Sequence, residues 1–205
     1  MPEARLRPTH YCPSCGERVF TYSAQGAEQA EIRCGYCGLP LELTGPAGSA
    51  PAGCVVVVDD DKFFRALLVD LLIQQGLATE VLSCDSGPAF LAQVTQRFRQ
   101  EQPVRLAILD ILMAPLDGVD AALALRAIER GFDRPQRIPV VFFSAARATE
   151  VLRQQMVRCA PAYYLNKASD SSPERLTERM RHLFDRAFGG GAGALPRPPR
   201  PRAPA

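Results

Sequence analysis

Residues 55–61 read VVVVDDD, an apolar run followed by three acidic residues. The four consecutive valines predict a central parallel strand that is covered on both faces. Three aspartates follow directly, and residues 106–110, LAILD, repeat the pattern of an apolar run that ends in an aspartate. The sequence therefore predicts a parallel sheet in which two strands end in carboxylates.

Strand and helix patterns alternate on both sides of this stretch. Strands are predicted near residues 55–58, 79–83, 106–109, 140–143 and 163–165. Helices are predicted near residues 63–75, 87–99, 119–130 and 149–158, and a last helix begins after Ser171 or Ser172 and runs to Phe188. Five β/α units of this kind predict an α/β fold, with right-handed crossovers and helices on both faces of the sheet.

The carboxylates fall where the functional groups of a doubly wound sheet gather, at the carboxyl ends of its strands. If the strand order is the flavodoxin-like 2-1-3-4-5, the first and third strands are neighbours. Asp59, Asp60 and Asp110 then converge. Because like charges repel, the convergence favours a hard divalent cation held by oxygen ligands, and Mg²⁺ is the expected ion. Taken singly, each aspartate could instead be a solvated turn residue or a helix cap.

Four motifs, in their order along the chain, resemble the receiver domain of two-component response regulators. They are VVVVDDDKFFRALL from residue 55, AILDILMAPLDG from residue 107, VVFFSA from residue 140 and YYLNK from residue 163. The resemblance covers about residues 54–188 and implies a flavodoxin-like sheet. It also implies phosphoryl transfer to an aspartate.

The resemblance assigns a role to each motif residue. Asp110 is implied to be the phosphoacceptor. The implied Mg²⁺ ligands are Asp60, Asp110 and the backbone carbonyl of Leu112, with Asp59 binding through water. Ser144 and Lys167 are implied to contact the phosphoryl oxygens.

Tyr164 matches the family's aromatic switch position, whose ring moves inward when the hydroxyl residue, here Ser144, shifts toward the phosphoryl group. The fourth helix, fifth strand and last helix would form the surface whose shape reports phosphorylation. Each residue also has a structural alternative: Tyr164 as core, Ser144 as a helix cap and Lys167 as a solvated loop residue. For Lys167 the composition favours a site, because the chain has 22 arginines but only two lysines.

The sequence departs from the family pattern at two loops. Ala168 follows Lys167 where the family has a proline, and the proline of MAPLDG comes one residue late, with Ala114 in its usual place. These departures leave open a receiver that serves only as an interaction scaffold and is independent of phosphorylation.

Four of the seven cysteines form two CxxCG motifs: Cys12 and Cys15, then Cys34 and Cys37, with 18 residues between the pairs. This spacing predicts a zinc ribbon in which four thiolates hold one structural Zn²⁺. A redox dithiol pair is the alternative. Four thiolates and Zn²⁺ would add two negative charges to a segment of four arginines and five glutamates, so DNA binding is not expected.

The predicted organisation is a zinc ribbon at 1–43, a flexible linker at 44–53, a receiver domain at 54–188 and a disordered Pro/Arg-rich tail at 189–205. No apolar run approaches the roughly 18 residues of a membrane span, and the start lacks the apolar core of a secretory signal. The cytoplasm is therefore the expected location, with no membrane contact.

The sequence thus predicts a signalling protein and not an enzyme. A histidine kinase or a phosphotransfer protein would supply the phosphoryl group, and an unidentified effector protein would read it. A phosphatase of the haloacid dehalogenase type is the enzymatic alternative, because Asp59 and Asp61 also form a DxD motif. That pattern expects Thr or Val where Phe63 stands, and a later acidic pair that the sequence lacks.

Overall fold

The computed structural model describes residues 10–25, 30–38, 41, 53–145, 148–167 and 172–188. Its strands are β1 (His10–Cys12), β2 (Glu17–Val19), β3 (Thr21–Gln25), β4 (Ala30–Cys34), β5 (Cys54–Val58), β6 (Glu80–Cys84), β7 (Leu106–Leu109), β8 (Val140–Ser144) and β9 (Ala162–Asn166). Its helices are α1 (Lys62–Gln74), α2 (Gly87–Arg99), α3 (Gly118–Gly131), α4 (Glu150–Arg158) and α5 (Pro173–Phe188).

The last five strands form one parallel sheet in the order β6-β5-β7-β8-β9. This is the predicted flavodoxin-like order, and it is confirmed. The predicted ends of these strands and of the helices differ from the observed ends by about one residue. We call residues 53–145, 148–167 and 172–188 the sheet domain.

The valine run explains why the sheet is covered on both faces. Val55 and Val57 pack in one buried cluster with residues of α1 and α5. Val56 and Val58 pack in the other, with residues of α2, α3 and α4. Successive side chains of a strand point to opposite faces, so a strand buried on both faces needs an apolar residue at every position.

A buried ion pair fixes the connection between α3 and β8. Arg126 donates to both carboxylate oxygens of Glu129 at 2.7 Å, and Glu129 accepts from the backbone N–H of Ile138 at 2.7 Å. Arg126 also donates to the carbonyls of Ile138 and Cys159, at 2.8 and 2.9 Å. These bonds satisfy the two buried charges and hold the long connection next to the residues that precede β8 and β9.

The cysteine module, residues 10–25 and 30–38, consists of two antiparallel hairpins, β1-β2 and β3-β4. Each predicted CxxCG motif forms a tight turn. The turn of the first motif closes with a bond from the Gly16 N–H to the Cys12 carbonyl, and that of the second with a bond from Gly38 to Cys34. Both glycines have a positive φ, 69° and 73°, a left-handed conformation that glycine adopts without steric cost.

The predicted linker, apart from Gly53, and the predicted tail lie outside the described residues, as does Ala168. Within the described ranges, no helix combines the length and apolar character that crossing a membrane would require.

Candidate functional site

Three carboxylates meet at the carboxyl edge of the central strands. Asp59 and Asp60 follow β5, Asp110 follows β7, and these strands are neighbours. The Asp110 N–H donates to the Val58 carbonyl at 2.8 Å, so the sheet pairing continues up to the site. One ligand oxygen from each aspartate lies within 4.8 Å of the others. The structure thus brings together the three aspartates that the sequence predicted to converge.

Lys167 lies directly against this cluster. Its Nζ is 2.6 Å from Asp59 Oδ2 and 2.8 Å from Asp110 Oδ2. The ammonium also stands over the rings of Phe64 and Phe143, 4.7 and 5.5 Å from their centroids. A compact ammonium fits this crowded, mostly buried position, where a planar guanidinium would need more room. Lys167 is therefore not a solvated loop residue.

The electrostatics of the cluster suit a divalent cation. Among the described residues, the three carboxylates face one ammonium, that of Lys167. Arg65 lies nearby but donates to the backbone carbonyls of Asp59 and Asp60. Burial raises the pKa of the Asp59 carboxyl above its ordinary 3.8, although hydrogen bonds from Lys167 and the Asp61 N–H offset part of the rise. An oxygen-binding ion such as Mg²⁺ would compensate the remaining negative charge.

The pKa of Asp59 gives a pH-dependent prediction for the metal-free protein. A raised carboxyl pKa means that the folded state binds more protons than the unfolded state as the pH rises above 3.8. The free energy of unfolding therefore falls through that window, until Asp59 is fully ionised. Asp59→Asn lacks the ionising carboxyl and therefore this pH-dependent fall. The free energy of unfolding of the variant, relative to that of the wild type, should increase with pH and then level off. Denaturant titrations in EDTA from about pH 4 to pH 8 measure it, and a pH-independent difference would contradict it.

The loop after β7 depends on a glycine. Gly118, the first residue of α3, donates its N–H to the Ile111 carbonyl at 3.0 Å. A Cβ at this glycine would lie 1.9 Å from the Asp110 carbonyl oxygen. The close approach sets the path of the loop that presents Asp110, together with Leu112, whose side chain is exposed.

Gly118→Ala is expected to destabilise the protein by about 1–3 kcal/mol, because the backbone at Asp110 must move to admit the methyl group. Gly131→Ala at the other end of α3 is the matched control, since a Cβ there meets nothing within 4 Å. The control should be neutral or stabilising by up to about 1 kcal/mol. Urea unfolding of both variants measures the effect. Equal stability of the two variants would show that the contact does not constrain the loop.

Ser144 and Tyr164 lie on the two strands beside this site. Ser144 is the fully buried last residue of β8, and its carbonyl accepts the backbone N–H of Lys167 at 2.8 Å. Tyr164 is buried in β9, and its hydroxyl accepts a hydrogen bond from Asn166 Nδ2 at 2.9 Å. Burial raises the pKa of Tyr164 to about 12. The phenol is therefore a neutral group with a defined partner.

The four cysteines of the two motifs form a second cluster. Cys12 Sγ lies 3.6 Å from Cys37 Sγ, and Cys15 Sγ lies 3.7 Å from Cys34 Sγ. A tetrahedron with metal–sulfur bonds of about 2.3 Å has sulfur–sulfur edges of about 3.8 Å, so the cluster has the dimensions of a four-thiolate zinc site. The Cys15 and Cys37 N–H groups each donate to the first sulfur of their own motif, at 3.4 Å. Hydrogen bonds from the other three thiols lower the pKa of Cys34, which favours a thiolate.

The other three cysteines, Cys54, Cys84 and Cys159, are buried and do not belong to this four-cysteine group. Burial raises the pKa of Cys84 and of Cys159 to about 11. They are packing residues in this structure.

Sequence reasoning missed three residues that connect the cysteine module to the sheet domain: Arg153, Asn166 and Arg179. Each donates a hydrogen bond to a backbone carbonyl of the module. A weak signal existed for Arg179 alone, because it stands beside Met180 and three residues after Leu176, on the apolar stripe of α5. An arginine on such a stripe needs buried hydrogen-bond acceptors.

Comparisons with known proteins agree with this fold. A family model described as the response regulator receiver domain matches residues 55–181. The chemotaxis protein CheY of Bacillus subtilis (strain 168) is 28% identical over 75 residues, which are 37% of this chain and 58% of that protein.

Two solved receiver domains show the same similarity in three dimensions. One belongs to the Arabidopsis thaliana histidine kinase CKI1, complexed with Mg²⁺. It is 26% identical with a TM-score of 0.52, and the alignment covers 63% of this chain and 90% of that one. The other is the signal receiver domain of NarL from Mycobacterium tuberculosis. It is also 26% identical with a TM-score of 0.52, over 68% of this chain and 99% of that one. The family match spans more than half of the chain, which therefore belongs to the response regulator receiver domain family of two-component signalling.

Proposed function

We propose that this protein is a phosphoaccepting response regulator, in which Asp110 takes a phosphoryl group from a histidine kinase or a phosphotransfer protein in a Mg²⁺-dependent reaction. One observation carries the proposal. Asp110 lies beside the carboxylates of Asp59 and Asp60 and 2.8 Å from the ammonium of Lys167. A nucleophile, a set of oxygen ligands and a cation for the phosphoryl oxygens thus share one edge of the sheet.

In the proposed reaction, a carboxylate oxygen of Asp110 forms a bond to phosphorus while the phosphorus–nitrogen bond of the donor's phosphohistidine breaks. The imidazole leaves with the electron pair of that bond and takes up a proton. Mg²⁺, bound by Asp60, Asp110 and the Leu112 carbonyl with Asp59 contributing through water, would offset the charge of the phosphoryl oxygens. The product is an acyl phosphate on the protein itself, so the chain is a regulator and not an enzyme.

Lys167 and Ser144 bind the transferred group in this proposal. Lys167 Nζ already pairs with Asp110 Oδ2, so a small movement brings it to a phosphoryl oxygen. The Ser144 hydroxyl, at the end of the neighbouring strand, would donate to a second oxygen. The Lys167 N–H bonds to the Ser144 carbonyl, so the backbones of the two residues are directly linked.

The position of Asp61 fits the phosphatase alternative less well than it fits a phosphoacceptor. A DxD phosphatase would need Asp61 as an acid or base close to Asp59. Asp61 Oδ1 instead accepts the Phe63 N–H at 2.7 Å and caps α1. The carboxylates at this edge that lie close enough together to hold one metal ion are those of Asp59, Asp60 and Asp110, without Asp61.

Acetyl phosphate separates a phosphoacceptor from a phosphatase and from a phosphorylation-independent scaffold. We expect the wild type to gain one phosphoryl group with Mg²⁺ and none in EDTA, by intact mass, and not to hydrolyse p-nitrophenyl phosphate. Turnover of that substrate would favour the phosphatase. No mass gain under any condition would favour the scaffold.

We further propose that the phosphorylated form is read by an effector protein in the cytoplasm, and not by DNA or a membrane. The positive excess of the sequence is confined to three arginines after residue 189, too few for more than weak phosphate contact. A pull-down under phosphorylating conditions should yield a partner that Asp110→Asn and Tyr164→Ala fail to capture. Salt-resistant, sub-micromolar DNA binding would contradict this proposal.

A further inference from the structure

The cysteine module lies against the edge of the sheet domain that carries β9. β9 is the last strand of the sheet, so one side of its backbone has no strand partner among the described residues. At its end, the Asn166 N–H donates to the Ser14 carbonyl at 2.8 Å. Ser14 belongs to the first CxxCG motif, so that motif continues the hydrogen bonding of the edge strand.

Arg179 of α5 also bonds to the first CxxCG motif. Its guanidinium donates to the carbonyls of Pro13 and Ser14 and also to the Asn166 carbonyl, the last two at 2.9 Å. Arg179 is only 3% exposed. While the module covers this guanidinium, the three carbonyls offset the cost of burying its charge.

Arg153 of α4 holds the second motif. Its guanidinium donates to the carbonyls of Gly35 and Tyr36, the former at 2.8 Å, and pairs with Glu150 at 2.9 Å. The four cysteines also belong to the same buried cluster as Tyr164 and Leu152 of the sheet domain. The module therefore covers the face formed by α4, β9 and α5 with both polar bonds and apolar packing.

Two adjacent residues, Asn166 and Lys167, connect this face to the carboxylate site. The Asn166 N–H donates to the module, and the Asn166 carbonyl accepts a hydrogen bond from Arg179. The Asn166 side-chain amide donates to the Tyr164 hydroxyl. The next residue, Lys167, contacts Asp59 and Asp110. A shift of the backbone at Lys167 would disturb the bonds of Asn166 to Ser14, Arg179 and Tyr164.

We propose that the cysteine module is an intramolecular partner of the α4–β9–α5 face, and that its docking and occupation of the Asp110 site oppose each other through Asn166 and Lys167. The coupling rests on the proposed phosphoacceptor function. Docking fixes the end of β9 while Lys167 is paired with Asp59 and Asp110. A phosphoryl group on Asp110 draws Lys167 and Ser144 toward itself, which strains the bonds to the module. Because coupling is reciprocal, a docked module also weakens occupation of the Asp110 site.

The docking itself is tested without phosphorylation. Hydrogen–deuterium exchange of the full chain, loaded with Zn²⁺, reports the protection of residues 10–19 and 30–38. Arg153→Ala and Arg179→Ala should increase exchange there by about fivefold or more. Arg158→Ala and Arg181→Ala, exposed arginines on the same two helices, are matched controls that should leave exchange unchanged. Unchanged exchange in both Arg153→Ala and Arg179→Ala would overturn the docking.

The coupling is tested with Mg²⁺ and beryllium fluoride as a stable substitute for the phosphoryl group. In the wild type, these ions should raise exchange of the module by about fivefold or more, the lower end of typical coupling between sites. Arg153→Ala should show a smaller further increase, and Asp110→Asn none. Uptake of beryllium fluoride is followed separately by fluorine NMR. Uptake with unchanged or slower exchange would overturn the coupling alone, whereas absence of uptake would refute both the phosphoacceptor function and the coupling.

Discussion

Asp110→Asn is expected to abolish Mg²⁺-dependent phosphorylation by acetyl phosphate while leaving the protein folded. The amide cannot act as the nucleophile, and it removes one of the charged oxygens available to the metal. The fold should persist because Lys167 keeps its 2.6 Å pair with Asp59. Intact mass should therefore show no phosphoryl addition, a loss of more than about a hundredfold in yield against the wild type.

Asp61→Asn is the matched control for this variant. Asp61 is an exposed member of the same aspartate run, its carboxylate caps α1, and Asn is an equally good cap. This variant should be phosphorylated like the wild type. Equal labelling of Asp110→Asn and the wild type would falsify the assignment of the acceptor.

Cys34→Ser is expected to remove zinc and to unfold the cysteine module. Small four-cysteine modules derive about 10–16 kcal/mol from zinc binding, which exceeds the free energy that so few apolar side chains can supply. The wild type should contain one equivalent of Zn²⁺, and Cys34→Ser much less. Metal analysis and reaction of the remaining thiols with an alkylating reagent measure both effects.

Cys84→Ala is the control for zinc loss, because Cys84 is buried in the sheet domain away from the four-cysteine group. It should keep its full zinc content. If the wild type holds less than half an equivalent of zinc, with its four module thiols freely reactive under native conditions, the metal site is wrong. A reversible change in thiol count with oxidant would then favour a dithiol pair.

The sheet was predictable because its signals are local. Valines at four successive positions indicate a strand that is buried on both faces and not one with a solvent-exposed face. Gly76 takes a positive φ of 64° just after α1, and the Ser172 hydroxyl accepts the Arg175 N–H at the start of α5. These residues act through their own backbone conformation or nearest neighbours, which the sequence contains.

The convergence of the carboxylates was predictable from topology alone. Once β5 and β7 are neighbours in a parallel sheet, Asp59 and Asp110 must lie at the same edge, whatever the details of packing. The position of Lys167 followed from the resemblance and from the scarcity of lysine. The burial of Asp59 and its raised pKa required the structure, because they depend on surroundings distant in sequence.

The contacts between the cysteine module and the sheet domain were not predictable. Arg153 and Arg179 bond to backbone carbonyls, which every residue offers, so no pair of residue types marks the partners. Arg126 and Glu129 were hidden for a related reason. Charged residues three apart on a helix usually indicate a solvated face, and only the packing shows that both are buried.

The most direct measurement for the central claim is to locate the phosphoryl group. Treating the protein with acetyl phosphate and Mg²⁺, reducing it with borohydride and mapping its peptides converts an acyl phosphate into a stable alcohol at the modified position. The alcohol is expected at position 110, with positions 59, 60 and 61 intact. The same alcohol at position 59, or no modified aspartate in a protein that nevertheless gains a phosphoryl group, would contradict Asp110 as the phosphoacceptor.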